Sequence, residues 1–93
     1  MKVVINRCFG GFGLSKKAMT LYKKLSNKEK EKVYEFEISR NDLFLVAVVE
    51  KMGENAYGDC ALLKIIEIPD DIKWHIEDYD GVEHVAEDHR TWD

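Results

Sequence analysis

The chain has 93 residues, 45% of them hydrophobic and 34% charged, with a formal net charge of −4. That length accommodates one domain, residues 1–93, with a modest core, and the composition points to a folded, water-soluble protein. The most apolar run, Leu43 to Val49, falls far short of the roughly 18 residues needed to span a bilayer, so no membrane partner is expected.

Charge is unevenly placed. Residues 1–32 hold nine Lys/Arg against two Glu, a balance of +7, and residues 33–93 hold five against sixteen Asp/Glu, a balance of −11. A basic front and an acidic back suit an anionic ligand at one end, or head-to-tail assembly into a homo-oligomer. Equally, Lys16, Lys17, Lys23 and Lys24 have the spacing of the wet face of a helix. A pI near 5.4 argues against a nucleic acid polymer as partner. The start of the chain lacks a basic-then-apolar signal pattern, which predicts a cytoplasmic protein. Cys8 and Cys60 are then expected as free thiols, and without a CxxC pair no zinc knuckle is expected.

Lys2 to Asn6 reads as a strand, its β-branched run suggesting burial on both faces. The stretch 8–13, Cys-Phe-Gly-Gly-Phe-Gly, favours turns and positive φ. Ser15 then caps a helix in which Ala18, Leu21, Tyr22 and Leu25 recur at helical spacing, ended by Ser26-Asn27. Lys28 to Lys32 reads as a solvated segment. Val33 to Ile38 alternates, which predicts a half-buried strand with Tyr34, Phe36 and Ile38 inward. Asn41-Asp42 offers a cap for a second helix, Leu43 to Met52, closed by Gly53. This helix is apolar almost all round, so cover by the sheet and by another subunit is expected. Ala61 to Ile68 reads as a strand stopped by Pro69 and Asp70-Asp71. Lys73 to Ala86 carries a hairpin, with Asp80-Gly81 as its two-residue type I′ turn. Its register places Tyr79 opposite Val82, Glu77 opposite His84 and Ile76 opposite Val85, with Trp74, Ile76 and Val85 on the buried face. The fold class that follows is α+β: a mixed, mainly antiparallel sheet of about five strands, two helices and a C-terminal β-hairpin.

Two segments carry candidate binding chemistry. In the first, the backbone N–H groups of Gly10, Gly11 and Gly13 and the helix start at Ser15 can face an anion. Arg7 and Lys16 add charge there, and Phe9 and Phe12 offer flat faces. The string is neither a dinucleotide fingerprint nor a P-loop, and a tight turn with both phenylalanines in the core accounts for it as well. In the second, His89-Arg90-Thr91-Trp92, Arg90 can clamp a phosphate and Trp92 can stack on a purine. Trp92 under the sheet and Arg90 among acids is the structural alternative. His75, Glu77 and His84 project from one face of the hairpin, a zinc donor set in type. A cross-strand Glu77–His84 pair explains them without metal, so no metal or cofactor is expected. Cys8 is the one candidate nucleophile, yet no histidine is near it in sequence, and the expectation is a binding protein, not an enzyme.

The strings Lys2-Val3-Val4-Ile5-Asn6, Cys8-Phe9-Gly10-Gly11-Phe12-Gly13-Leu14-Ser15, Glu67-Ile68-Pro69-Asp70-Asp71, Tyr79-Asp80-Gly81 and His89-Arg90-Thr91-Trp92 together resemble a family of small bacteriophage and prophage proteins. Members often carry a proline at the start of the second helix and a tryptophan near position 84, where this chain has Leu43 and His84. The resemblance implies a phage setting. By analogy it implies an anti-defence role (anti-CBASS or anti-Thoeris), in which an oligomer sequesters a cyclic nucleotide or ADP-ribose-like signal without transforming it. The alternative is a protein-interaction module that inhibits a host or defence protein.

Overall fold

The computed structural model describes residues 1–59 and 61–88. Its elements run β1 (Lys2–Asn6), α1 (Lys16–Leu25), α2 (Leu43–Met52), β2 (Leu63–Glu67), β3 (Trp74–Tyr79) and β4 (Val82–Glu87), with 3₁₀ turns at Glu35–Glu37 and Gly53–Ala56. As its β-branched run predicts, β1 is covered on both faces: Val3, Val4, Ile5 and Asn6 are all buried. Strand β2 lies antiparallel beside it, Val3 opposite Ile66 and Ile5 opposite Lys64. The pairing is extended by Arg7 N donating to Leu62 O and by Ile68 N donating to Met1 O, both at 2.8 Å.

Both helices start and stop where the sequence predicts. Ser15 Oγ accepts from Ala18 N at 3.1 Å to cap α1. At its far end Asn27 takes φ 60, and Lys28 N reaches Lys23 O at 2.8 Å, the six-to-one bond of a Schellman end. In α2, Asp42 Oδ1 accepts from Phe44 N and Leu45 N, and Gly53 closes the helix with φ 56. The two helices are tied by Tyr22 Oη donating to Asp42 Oδ2 at 3.0 Å. Burial, followed by this bond, pushes the Tyr22 phenol up to about 12.

One contiguous core forms between helices and strands. Ala18 and Tyr22 of α1, Leu45, Val46, Val48 and Val49 of α2, and Val4 and Leu63 of the sheet meet there with Leu14, Ile38 and Ala56. The outward face of α2 is uncovered in the monomer, with Leu43 at 82% and Phe44 at 43% exposure.

The expected five-stranded mixed sheet does not form. Among the described residues there are two antiparallel two-stranded sheets, β1–β2 and β3–β4. Val33 to Ile38 is not a strand: Tyr34 O accepts from Glu37 N and Glu35 O from Ile38 N, closing a 3₁₀ turn. Only Ile38 of the alternating set is buried, whereas Tyr34 and Phe36 face solvent. The physical reason lies at the second edge of β1. Because N–H groups alternate sides along a strand, Val4 and Asn6 donate away from β2. Val4 N goes to Arg40 O at 2.8 Å, and Asn6 N goes to the Glu83 carboxylate at 2.7 Å. The place for a third strand is already taken.

The hairpin β3–β4 keeps the expected register, with Tyr79 opposite Val82, Glu77 opposite His84 and Ile76 opposite Val85. Asp80 and Gly81 both have positive φ, 52 and 90, as a type I′ turn requires. Trp74, Ile76 and Val85 are only half-buried, and the buried position on that face is Glu83.

Candidate functional site

Buried Glu83 organises the ground beneath the glycine loop. Its carboxylate takes Arg40 Nη1 at 2.5 Å and Arg40 Nη2 at 2.8 Å, a two-pronged pair, besides the Asn6 amide. The Arg40 guanidinium in turn lies 3.7 Å from the centre of the Phe12 ring. Wholly buried Asn6 completes the joint: Nδ2 donates to Cys8 O at 2.7 Å and Gly81 O at 2.6 Å, and Oδ1 accepts from Leu62 N at 2.9 Å. Strand end, glycine loop, hairpin turn and the start of β2 are thus held at one point.

The glycines answer first to packing. A Cβ on Gly81 would stand 2.8 Å from Gly10 N and collide with Gly11 N, so loop and turn meet backbone to backbone. Gly10 N donates to Asp80 O at 3.4 Å. Further along, Gly13 O accepts from Gly58 N at 2.9 Å, and a Cβ on Gly58 would stand 2.8 Å from the Gly13 carbonyl carbon.

The sequence-expected residues separate into groups. Arg7 is exposed and turns towards β4, its Nη1 donating to Glu83 O at 2.7 Å. Phe9 is 67% exposed. Phe12 is half-buried under Arg40. Ser15 Oγ, besides capping α1, donates to Asn55 O at 2.6 Å. Gly13, Ser15 and Lys16 come together with Glu35, Gly58 and Asp59 around an open depression of about 640 Å³. Arg90 and Trp92, with His89, lie outside the described residues.

A second depression, of about 400 Å³, adjoins the start of α1, where Ser15, Lys16 and Met19 face Val33, Tyr34, Glu35 and Phe36. Tyr34 and Phe36 are stacked, with ring centres 5.4 Å apart and planes 17° from parallel. Lys32 Nζ sits 5.4 Å from the Tyr34 ring centre, and Phe36 is 84% exposed. These aromatics were missed as site residues because their alternation reads as a buried strand face. The available signal was the charge around them: between Lys28 and Glu37 only Val33, Tyr34 and Phe36 are uncharged, too few for an inward face. At the helix start Ser15 Oγ takes Ala18 N, one of the first-turn amides that have no partner within a helix.

On the hairpin, His75 Nε2 and His84 Nε2 lie 3.5 and 3.8 Å from Glu77 Oε1, and His75 Nδ1 meets Asp88. Donation of its ring N–H to the Asp88 carboxylate holds the His75 imidazole above its ordinary value. Among the described residues no group of three His, Cys, Asp or Glu is arranged to hold a metal ion. Cys8 is half-buried and free. No helix among the described residues is long and apolar enough to cross a membrane.

Comparison with known protein families, with curated proteins and with solved structures gives no match to this chain.

Proposed function

We propose that this chain is a phage-encoded, non-enzymatic binding protein that sequesters a nucleotide-type signalling molecule of bacterial defence. The observation that carries the reading is the depression at the start of α1, where a stacked, exposed Tyr34–Phe36 pair faces Lys16 across about 400 Å³. An open aromatic face stacks a base, and a lysine at a helix N-terminus holds a phosphate. The volume is within the usual range for small-ligand sites, roughly 300–1,000 Å³. Gly13 and Ser15 form the neighbouring wall, and Arg90 and Trp92 join the set on the sequence reading alone.

A thermal-shift panel of cyclic di- and trinucleotides, ADP-ribose, NAD and AMP tests the reading. A ligand at about a hundred times its Kd adds about 2.7 kcal/mol, a shift of about ten degrees or more in a domain of this size. That shift, reduced in Phe36→Ala and Lys16→Ala and with the ligand recovered unaltered, is the expected result. A flat panel overturns the reading, and turnover of the ligand overturns its non-enzymatic part.

A specific observation favours a second reading, a protein-interaction module or homo-oligomer. Leu43, Phe44 and Ala47 form an exposed apolar stripe on α2. A mass measurement in solution on the wild type and Leu43→Lys separates a self-associating chain from a monomer.

A further inference from the structure

Lys16, Thr20, Lys23 and Lys24 recur at the spacing of one helix face along α1. Lys16 borders the aromatic depression, and Thr20, Lys23 and Lys24 border a further one of about 590 Å³, with Glu29 on its rim. Seven or eight residues at ~1.5 Å each carry this row about 11–12 Å along the helix. Among the described residues, the cations in ion pairs are the amino terminus, Lys2, Arg40, His75 and His84. The α1 lysines are not among them.

We propose that the ligand is a short single-stranded oligonucleotide whose phosphates follow this lysine row while one base stacks on Phe36. The inference rests on the nucleotide-binding reading and narrows it to a ligand class. Single-strand binding needs a positive track and an aromatic platform, and both adjoin here. A mononucleotide seated on Phe36 has one phosphate-bearing end for Lys16, whereas a short strand carries further phosphates along the row to Lys23 and Lys24. Net charge is negative over the whole chain, but residues 16–32 hold seven Lys against two Glu. The acidic remainder, at −11 over residues 33–93, repels a long polyanion and favours a short one. An acidic protein partner fits the lysines, but it leaves an open stacked aromatic pair without a role.

Fluorescence anisotropy with labelled thymidine di-, tetra- and octanucleotides tests this, with AMP and a cyclic dinucleotide as competitors. Affinity should rise several-fold from dinucleotide to tetranucleotide and then level off. With three phosphates neutralised, the expected log–log salt slope is about −2, an affinity loss of about twentyfold between ~50 and ~200 mM salt. The double variant Lys23→Glu/Lys24→Glu should weaken the tetranucleotide by about tenfold or more and leave AMP within about twofold. Phe36→Ala should weaken every nucleotide by about 5- to 150-fold. If the dinucleotide binds as tightly as the tetranucleotide and charge reversal changes nothing, the oligonucleotide inference falls while the mononucleotide-sized site stands. If no probe or competitor binds, both readings fall. Capture of a polyglutamate peptide by the lysine face in that case assigns it to an acidic protein.

Discussion

Replacing Glu83 with Ala should cost about 3 kcal/mol of stability, and the figure follows from three hydrogen bonds. The carboxylate side chain is 5% exposed and pairs with an Arg40 side chain that is 21% exposed. Breaking a buried pair by removing one partner usually costs about 3–5 kcal/mol. Arg40 regains some water at its exposed edge, which favours the lower end. Asn6 N cannot, because Asn6 is wholly buried, and a stranded buried donor costs about 1–3 kcal/mol. In a chain of 93 residues, each kcal/mol moves the melting temperature by about 4–8 °C, so a fall of about 12–24 °C is expected. Urea unfolding followed by circular dichroism measures it. The double variant Glu83→Leu/Arg40→Met should recover part of the loss, retaining a deficit of about 1–2 kcal/mol from the Asn6 amide. A Glu83→Ala loss below about 1 kcal/mol, or a coupling to Arg40 below about 0.5 kcal/mol, would refute the view that this pair closes the edge of β1.

Three further expectations follow from the same contacts. Tyr22→Phe should cost about 1–2 kcal/mol by leaving Asp42 Oδ2 unpaired. Because the Tyr22 pKa is raised to about 12, its contribution is full below the ordinary phenol value near 10 and is lost as pH rises towards 12; the variant should lack that alkaline loss in pH-dependent urea midpoints. Gly81→Ala should destabilise by about 1–3 kcal/mol, since φ is +90 and the new methyl meets the Gly10–Gly11 backbone. A thermal scan that finds it neutral contradicts the loop-to-turn packing. The raised His75 value stabilises the fold below the ordinary imidazole pKa, and that stabilisation fades as pH rises through the folded value. In an NMR titration, Asp88→Asn should lower the His75 midpoint, and an unmoved midpoint would contradict the Asp88 contact.

The parts legible in the sequence are those whose signals are local. Ser15, Asp42, Gly53 and the Asp80-Gly81 turn each act on their own backbone, and each does in the structure what its chemistry predicts. Residues 33–38 alternate without forming a strand, because alternation states only that residues share a side, not that a neighbour exists to cover it. Glu83 was equally hidden. By the hairpin register it shares a face with Val85 and Ile76, but nothing local announces that an arginine more than forty positions away will neutralise it.

The missing strand and the buried Glu83 have one cause. A strand over Tyr34 to Ile38 would need a free sheet edge, and the second edge of β1 is occupied by Arg40 O and by the Glu83 carboxylate. Denied that edge, the segment turns as a 3₁₀ loop and leaves Tyr34 and Phe36 outward. Full burial of a phenylalanine stabilises by roughly 1.5–3 kcal/mol, most of which Phe36 forgoes at 84% exposure. The ion pair that closes the sheet therefore also keeps an aromatic platform open beside the lysine row of α1. A fold variant at Glu83 and a binding variant at Phe36 consequently report on one arrangement. If the edge of β1 is freed and the segment pairs with it, Phe36 turns inward and the proposed nucleotide binding should decline along with stability.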